Sequence, residues 1–168
     1  MKTTPRPAPM PEPHSAAEAE APKWQSADLY ELSVSPHNYG ARLHLRLAHG
    51  DLDLGKLALS FDWRSVAAFL DFVDRKLDAV DALQLGFLAR PRETVSWSFP
   101  KPDDEYQSVW MEPRFVRFDV EDSRFAVYLV DTLRPEHRIW LFLSELGLRA
   151  IVSELRAGLA QRRQARSY

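Results

Sequence analysis

Residues 57–77 read LALSFDWRSVAAFLDFVDRKL, and a change of period inside this stretch decides the fold class. Leu57, Leu59 and Phe61 alternate with Ala58 and Ser60, the two-residue repeat of a strand with one buried face. After Asp62 the repeat becomes helical. Val66, Phe69, Leu70, Val73 and Leu77 fall on one stripe, and Arg64, Asp71, Asp74, Arg75 and Asp78 lie largely outside it. Asp62 has the chemistry of an N-cap, because its carboxylate can accept from the free amides of a first turn. A strand therefore runs straight into a capped helix, expected from Trp63 to about Val80.

Working towards the N-terminus, Leu43, Leu45 and Leu47 alternate with His44, Arg46 and Ala48, a second half-buried strand. His49-Gly50-Asp51 is a turn between the two, and Pro36 to Gly40 is another. Leu29 to Val34 is a further strand before that turn. Residues 1–25 differ in kind: Pro5, Pro7, Pro9, Pro11 and Pro13 alternate with other residues, and an Ala/Glu stretch follows. Proline fixes φ and removes backbone donors, so these residues are expected to form a disordered tail, with Trp24 anchoring its end on the body.

Towards the C-terminus, strands are expected at Leu83 to Leu88 and Val95 to Phe99. A hairpin follows from Arg114 to Val120 and Arg124 to Val130, turning at Glu121-Asp122-Ser123, and then a strand from Ile139 to Leu143. Pro100 to Glu105 is an acidic surface loop between strands. Ser144 caps a second helix with Leu148, Ile151, Val152, Leu155 and Leu159 on its buried stripe. The basic end, Gln161 to Arg166, suits the negative pole of a helix dipole.

A shift of 82 positions lays the two halves on each other without a gap. Leu43, Leu45 and Leu47 fall on Phe125, Val127 and Leu129, Asp62 falls on Ser144, and the two helix stripes coincide. The expected fold is α+β: antiparallel sheets from two strand-strand-helix units, each closed by a C-terminal helix. It divides into the tail (1–25), one domain (26–163) with pseudo-repeats at 29–80 and 83–163, and a basic C-terminal tail (164–168).

The halves differ on the second face of their strands. In the first, that face carries His44, Arg46, Lys56 and Ser60, which suits water. In the second it carries Ala126, Tyr128, Val130, Trp140 and Phe142. Apolar surface left in water costs roughly 25 cal/mol per Å², so this face needs a cover: another sheet, a second copy of the chain, or a ligand.

Composition narrows the chemistry. The chain has 168 residues, 45% of them hydrophobic, enough for a packed core. Without cysteine there is no disulfide framework, thiolate metal site or cysteine nucleophile. No stretch approaches the ~18 apolar residues of a membrane helix and no apolar N-terminal leader is present, so no membrane association is expected and a cytoplasmic location is. The formal net charge of −2 disfavours a pervasive nucleic-acid footprint but leaves room for a local basic patch.

No catalytic constellation is present: no nucleophile elbow, no phosphate loop and no paired metal histidines. His49, Asp51 and Asp53 alternate as strand ligands would, and a polar turn gives the same string. No enzyme, cofactor or metal is expected. The candidate binding residues are Tyr128, Trp140, Phe142, Trp97, Arg114 and Arg117. Trp97, Phe99, Trp110, Phe115 and Phe118 sit mostly at strand-like alternation, which on its own reads as core. A stacking platform for single-stranded bases would instead need exposed rings beside arginines.

The tandem order of strands then helix, with its caps at Asp62 and Ser144, resembles the fold of the PUR-alpha and Whirly single-stranded nucleic-acid-binding proteins over roughly Leu29 to Leu159. That resemblance implies nucleic-acid binding. The acidic pI departs from it, as do the strand counts, about three before the first helix and five before the second. The string from Ile139 to Leu159 also resembles the end of WapI-type bacterial immunity proteins, which implies a toxin as partner. The expectation is a non-enzymatic protein-interaction module, immunity-type or regulatory. Its partner would be another protein, with a homodimer through the C-terminal sheet as one form of self-association. Single-stranded nucleic acid is the alternative.

Overall fold

A computed structural model describes residues 23–82, 91–104 and 107–165. The strands are β1 (Gln25–His37), β2 (Gly40–His49), β3 (Leu52–Asp62), β4 (Thr94–Trp97), β5 (Ser108–Asp119), β6 (Arg124–Asp131) and β7 (Arg138–Leu143). The helices are α1 (Trp63–Ala82), after β3, and α2 (Glu145–Ala165), after β7. The expected strand at Leu83 to Leu88 lies outside the described residues, as does the tail up to Pro22. Trp24, just before β1, is 46% exposed. The second helix runs on to Ala165, so Gln164 and Ala165 are helical rather than part of a C-terminal tail.

The seven strands form one closed barrel in the order β1-β2-β3-β5-β6-β7-β4. All neighbours are antiparallel except β3 and β5, which pair in parallel over Ala58–Ser60 and Ser108–Trp110. The expectation of purely antiparallel sheets fails at that seam. A helix follows β3 and returns the chain before β5, and such a crossover sets two strands side by side in one direction. Strand β4 then closes the ring between β1 and β7.

The inner positions of every strand form one core with the helix stripes. Leu43, Leu45, Leu57, Leu59, Phe125, Val127, Leu129, Ile139 and Leu141 meet Phe69, Val73, Leu148 and Leu155 there. Helix α1 packs on β5, β2 and β3, and α2 on β1 and β6. Both caps are made: Asp62 Oδ1 accepts from the Ser65 amide at 2.7 Å, and Ser144 Oγ from the Gly147 amide at 3.0 Å. The helices are tied to each other by Arg156 on Asp74 and by Arg149, which reaches Asp81 at 3.1 Å.

Two strands carry bulges that matter outside. On β5 the register shifts between Pro113 and Phe115, and on β1 between Leu29 and Glu31. Proline cannot donate to a ladder, and a bulge is where a sheet tolerates it. The extra residue, Arg114, is pushed outward, and Val116 resumes the inward phase.

Candidate binding face

Because the sheet closes on itself, its second face is the outside of the barrel, and no other sheet covers it. On β5, β6 and β7 that outer face is aromatic. Strand register places Phe115 opposite Tyr128 and Tyr128 opposite Trp140, so three rings form a row across three strands. Their centroids stand 5.2 Å (Phe115–Tyr128) and 4.6 Å (Tyr128–Trp140) apart. Phe142, two residues along β7, lies nearly parallel to Trp140 at 6.1 Å. Phe115 is 41% exposed, and Tyr128, Trp140 and Phe142 are half-buried. Ala126 and Val130 sit beneath the rings and are buried.

Arginines border this patch. The Arg117 guanidinium lies 5.3 Å from the Trp140 centroid, and that of Arg124 lies 4.6 Å from Phe142. Arg138 donates to the Tyr128 hydroxyl at 3.3 Å. Arg124 also reaches Asp122 at 3.7 Å, whereas neither Arg117 nor Arg138 forms an ion pair among the described residues. Beyond the rings the row continues onto β4 and β1 through Ser96 and Ser26, whose hydroxyls meet at 2.8 Å.

The other side of the barrel is cationic. Arg42, His44 and Arg46 lie on the outer face of β2, and Lys56 pairs with Arg46 across the ladder. His44 Nε2 is 2.7 Å from Ser35 Oγ. The pKa of His44 is held below the ordinary imidazole range by burial and then by the charges of Arg42 and Lys56; His37 is lowered by burial and by Arg42. In both imidazoles burial is the larger cause, and the neighbouring cations add to it.

The β3–β5 seam joins the two regions. Arg42 Nε donates to Ser60 Oγ at 3.2 Å, and Ser60 donates to Ser108 Oγ at 2.7 Å. Ser60 was expected to face water, but β5 covers it and its exposure is 0%. Trp110, 38% exposed, stands opposite Ser60 and packs edge-on against His37 at 5.6 Å.

Of the six residues expected to bind, Tyr128, Trp140, Phe142 and Arg117 come together. Arg114 is exposed at the bulge and paired with Glu112 at 2.8 Å. Trp97 is a correction: it points into the barrel at 3% exposure, because β4 turns its Val95 and Trp97 inward and Thr94 and Ser96 outward. Phe99 is buried as expected. Phe115, Arg124 and Arg138 were absent from that set. The register from Asp119–Arg124 to Phe115–Tyr128 is unbroken, so counting back from the hairpin's first pair places Phe115 in the row, and the bulge lies beyond it. Alternation alone places Arg138 with Trp140 and Phe142.

His49, Asp51 and Asp53 do not converge. Gly50 and Asp51 form the turn, and Asp53 Oδ1 accepts from the Gly55 amide at 2.8 Å. Among the described residues no group of three His, Asp or Glu side chains is placed to hold a metal ion. None of their helices is long and apolar enough to cross a membrane. No family model, no curated protein and no solved structure matches the chain significantly.

Proposed function

We propose that the outer face of β5–β7 is a recognition platform for single-stranded nucleic acid and that the protein acts by binding, without catalysis. One observation carries this reading: four rings on one sheet face, each of Tyr128, Trp140 and Phe142 touched by an arginine. Bases stack on such rings whatever their sequence, because every base has a π-face, and the arginines meet the backbone. Arg42 and Arg46 on the outer face of β2 add cationic side chains that the net charge of −2 conceals.

The order of strands closed by a helix, twice over, also supports the reading by its resemblance to PUR-alpha and Whirly proteins, although three strands precede the first helix and four the second. Helix α1, shifted by 82 positions, covers 145–164, and α2 is Glu145–Ala165. Asp74 and Arg156, which join the helices, are themselves 82 residues apart.

The test is fluorescence anisotropy of a labelled oligothymidylate at low salt, repeated as salt is raised. Binding that weakens steeply with salt supports the reading. Flat anisotropy at low salt removes it. A second reading, the docking of a protein, is favoured by the same Trp, Tyr and Arg content, which is that of an interface hot spot. It predicts a protein partner, or a second copy of the chain, that protects Trp140 while oligonucleotide does not. The WapI-type resemblance belongs to this second reading.

A further inference from the structure

We propose that the open side of β1 takes up an extended peptide of a partner protein as an added strand, in the groove between β1 and α2. Strand β4 covers that side only along Gln25–Asp28, and one further bond, from the Leu29 amide to the Glu93 carbonyl at 3.0 Å, ends the ladder. From Tyr30 to His37 no strand borders β1 there among the described residues, while β2 pairs with its other side as far as His37. None of the groove's residues belongs to the ring face of β5–β7.

An unpaired strand side is a row of amides and carbonyls that another strand can satisfy. Pro36 gives the phase of that row. Successive residues of an antiparallel strand turn their backbone groups to opposite sides, and proline, having no N–H, belongs where no ladder bond is due. Leu32 and Val34 share the phase of Pro36, so theirs are the backbone groups that point to the open side. The groove beside them has two parts, of about 310 and 220 Å³, which share Val34 and Glu154 as walls. Leu146, Ala150 and Ile151 form the helix wall of the first part. Leu146 is 64% exposed, an apolar side chain left in water at the rim.

Shape and charge select the occupant. A second copy joined edge to edge about a two-fold axis would bring its own α2 to the same side of the sheet, into the space that the first helix fills. A lone extended segment fits beside the helix, with apolar residues at alternate positions facing the helix wall. Among the described residues no lysine or arginine lines either part. Arg162, next to the second part, reaches the Asn38 carbonyl and lies over the Trp63 ring. Of the acids, Glu31 is paired with Arg46 at 3.4 Å, and Glu93 accepts from the Ser144 amide at 3.3 Å. Glu154 is exposed and forms no ion pair among the described residues. The fitting peptide therefore carries a lysine or arginine opposite Glu154.

The probe is the peptide acetyl-Lys-Val-Thr-Val-Thr-Val-Lys-amide, titrated into the isotope-labelled full chain and followed by NMR. The Leu32 and Val34 amide resonances should shift together. With peptide at about ten times its Kd, their hydrogen exchange should slow roughly tenfold. Val34→Pro removes an outward amide and no β1–β2 bond, so it should lose the protection of Leu32 while a thermal melt shows it folded. Ala150→Trp, at an exposed helix position, narrows the groove without touching β1 and should lose binding as well. Glu154→Gln should weaken the lysine peptide and leave unchanged one whose lysines are replaced by glutamine; equal affinity for the lysine peptide overturns the basic requirement. If the peptide moves neither amide, or protects Leu32 equally in Val34→Pro and Ala150→Trp, strand addition is overturned. It is also overturned if both amides are already protected in the dilute chain, which would put a segment of the same chain on the open side. Protection that rises with protein concentration alone overturns it in favour of a second copy.

Discussion

The guanidinium of Arg117 lies across the ring of Trp140, reaching from β5 over the strand between them at 5.3 Å from the centroid. The ring is on the outside of a barrel whose core is closed without it. Trp140→Ala should therefore leave the fold intact and cut oligothymidylate affinity. Loss of one stacking ring is worth about 1–3 kcal/mol, roughly 5- to 150-fold in Kd. Equal affinities in an anisotropy titration would refute a stacking role for this residue.

Arg117→Ala should act differently. Its removal should lower affinity while reducing the slope of log K against log salt by about 1, the signature of one lost phosphate contact. An unchanged slope would assign Arg117 to orienting the Trp140 ring rather than to the backbone.

Gly40 begins β2, and a Cβ there would stand 1.6 Å from the carbonyl oxygen of Phe61. Neither atom is a flexible side-chain end, so strands β2 and β3 would have to separate. Gly40→Ala should cost at least the upper part of the ~1–3 kcal/mol range for overpacking. Gly50 at φ +60° has open space around it, and Gly50→Ala should cost only about 1–2 kcal/mol from its left-handed backbone. Urea denaturation of the two variants compares them directly; similar midpoints would contradict this close approach.

Ser60 links Arg42 to Ser108 while fully buried. Ser60→Ala should leave both partners unsatisfied at the β3–β5 seam and lower stability by about 1–3 kcal/mol. Ser108→Ala, which leaves the Arg42 bond in place, should cost less. The reverse order in chemical denaturation would show that the relay does not hold the seam.

His44 gives a pH dependence. Its folded pKa is lowered, by burial and by Arg42 and Lys56. Between the ordinary imidazole value of about 6.5 and its own lower midpoint, the unfolded chain binds a proton that the folded chain refuses. Stability must then fall as pH drops through that window. His37 is lowered in the same direction and adds to the slope. His44→Gln should flatten the acid limb of a melting-temperature profile below about pH 6.5, and an unaltered limb would exclude His44 as its source.

Much of this architecture was legible in residue order. The strand-to-helix junctions at Asp62 and Ser144 were readable because capping is local chemistry, and both caps form. The outward rings Tyr128, Trp140 and Phe142 were readable from two-residue alternation. What alternation cannot say is which side of a strand becomes the interior of a closed barrel. Trp97 and Trp140 are both rings on short apolar strands, yet barrel closure turns one inward and leaves the other outside. The β3–β5 pairing was also hidden, because it depends on where a crossover returns, and Ser60 looked like a solvent residue until that neighbour covered it. The Arg114 bulge lies beyond Phe115, so it reverses the facing only of the residues before it on β5, such as Pro113 and Met111.

Strand β4 spans only four residues, yet among the described residues it is the sole bridge between β1 and β7. During synthesis, β1, β2, β3 and α1 leave the ribosome before β4 and β5 exist, so both outer strands of that meander emerge without neighbours. A nascent chain stopped at Ala82 would offer two naked strand borders to any other chain nearby. The N-terminal half is thus a poor candidate for independent expression, and a fragment ending there should aggregate where the full chain stays dispersed. Maturation of this protein waits for its last strand, Arg138–Leu143, to leave the exit tunnel and lock the ring.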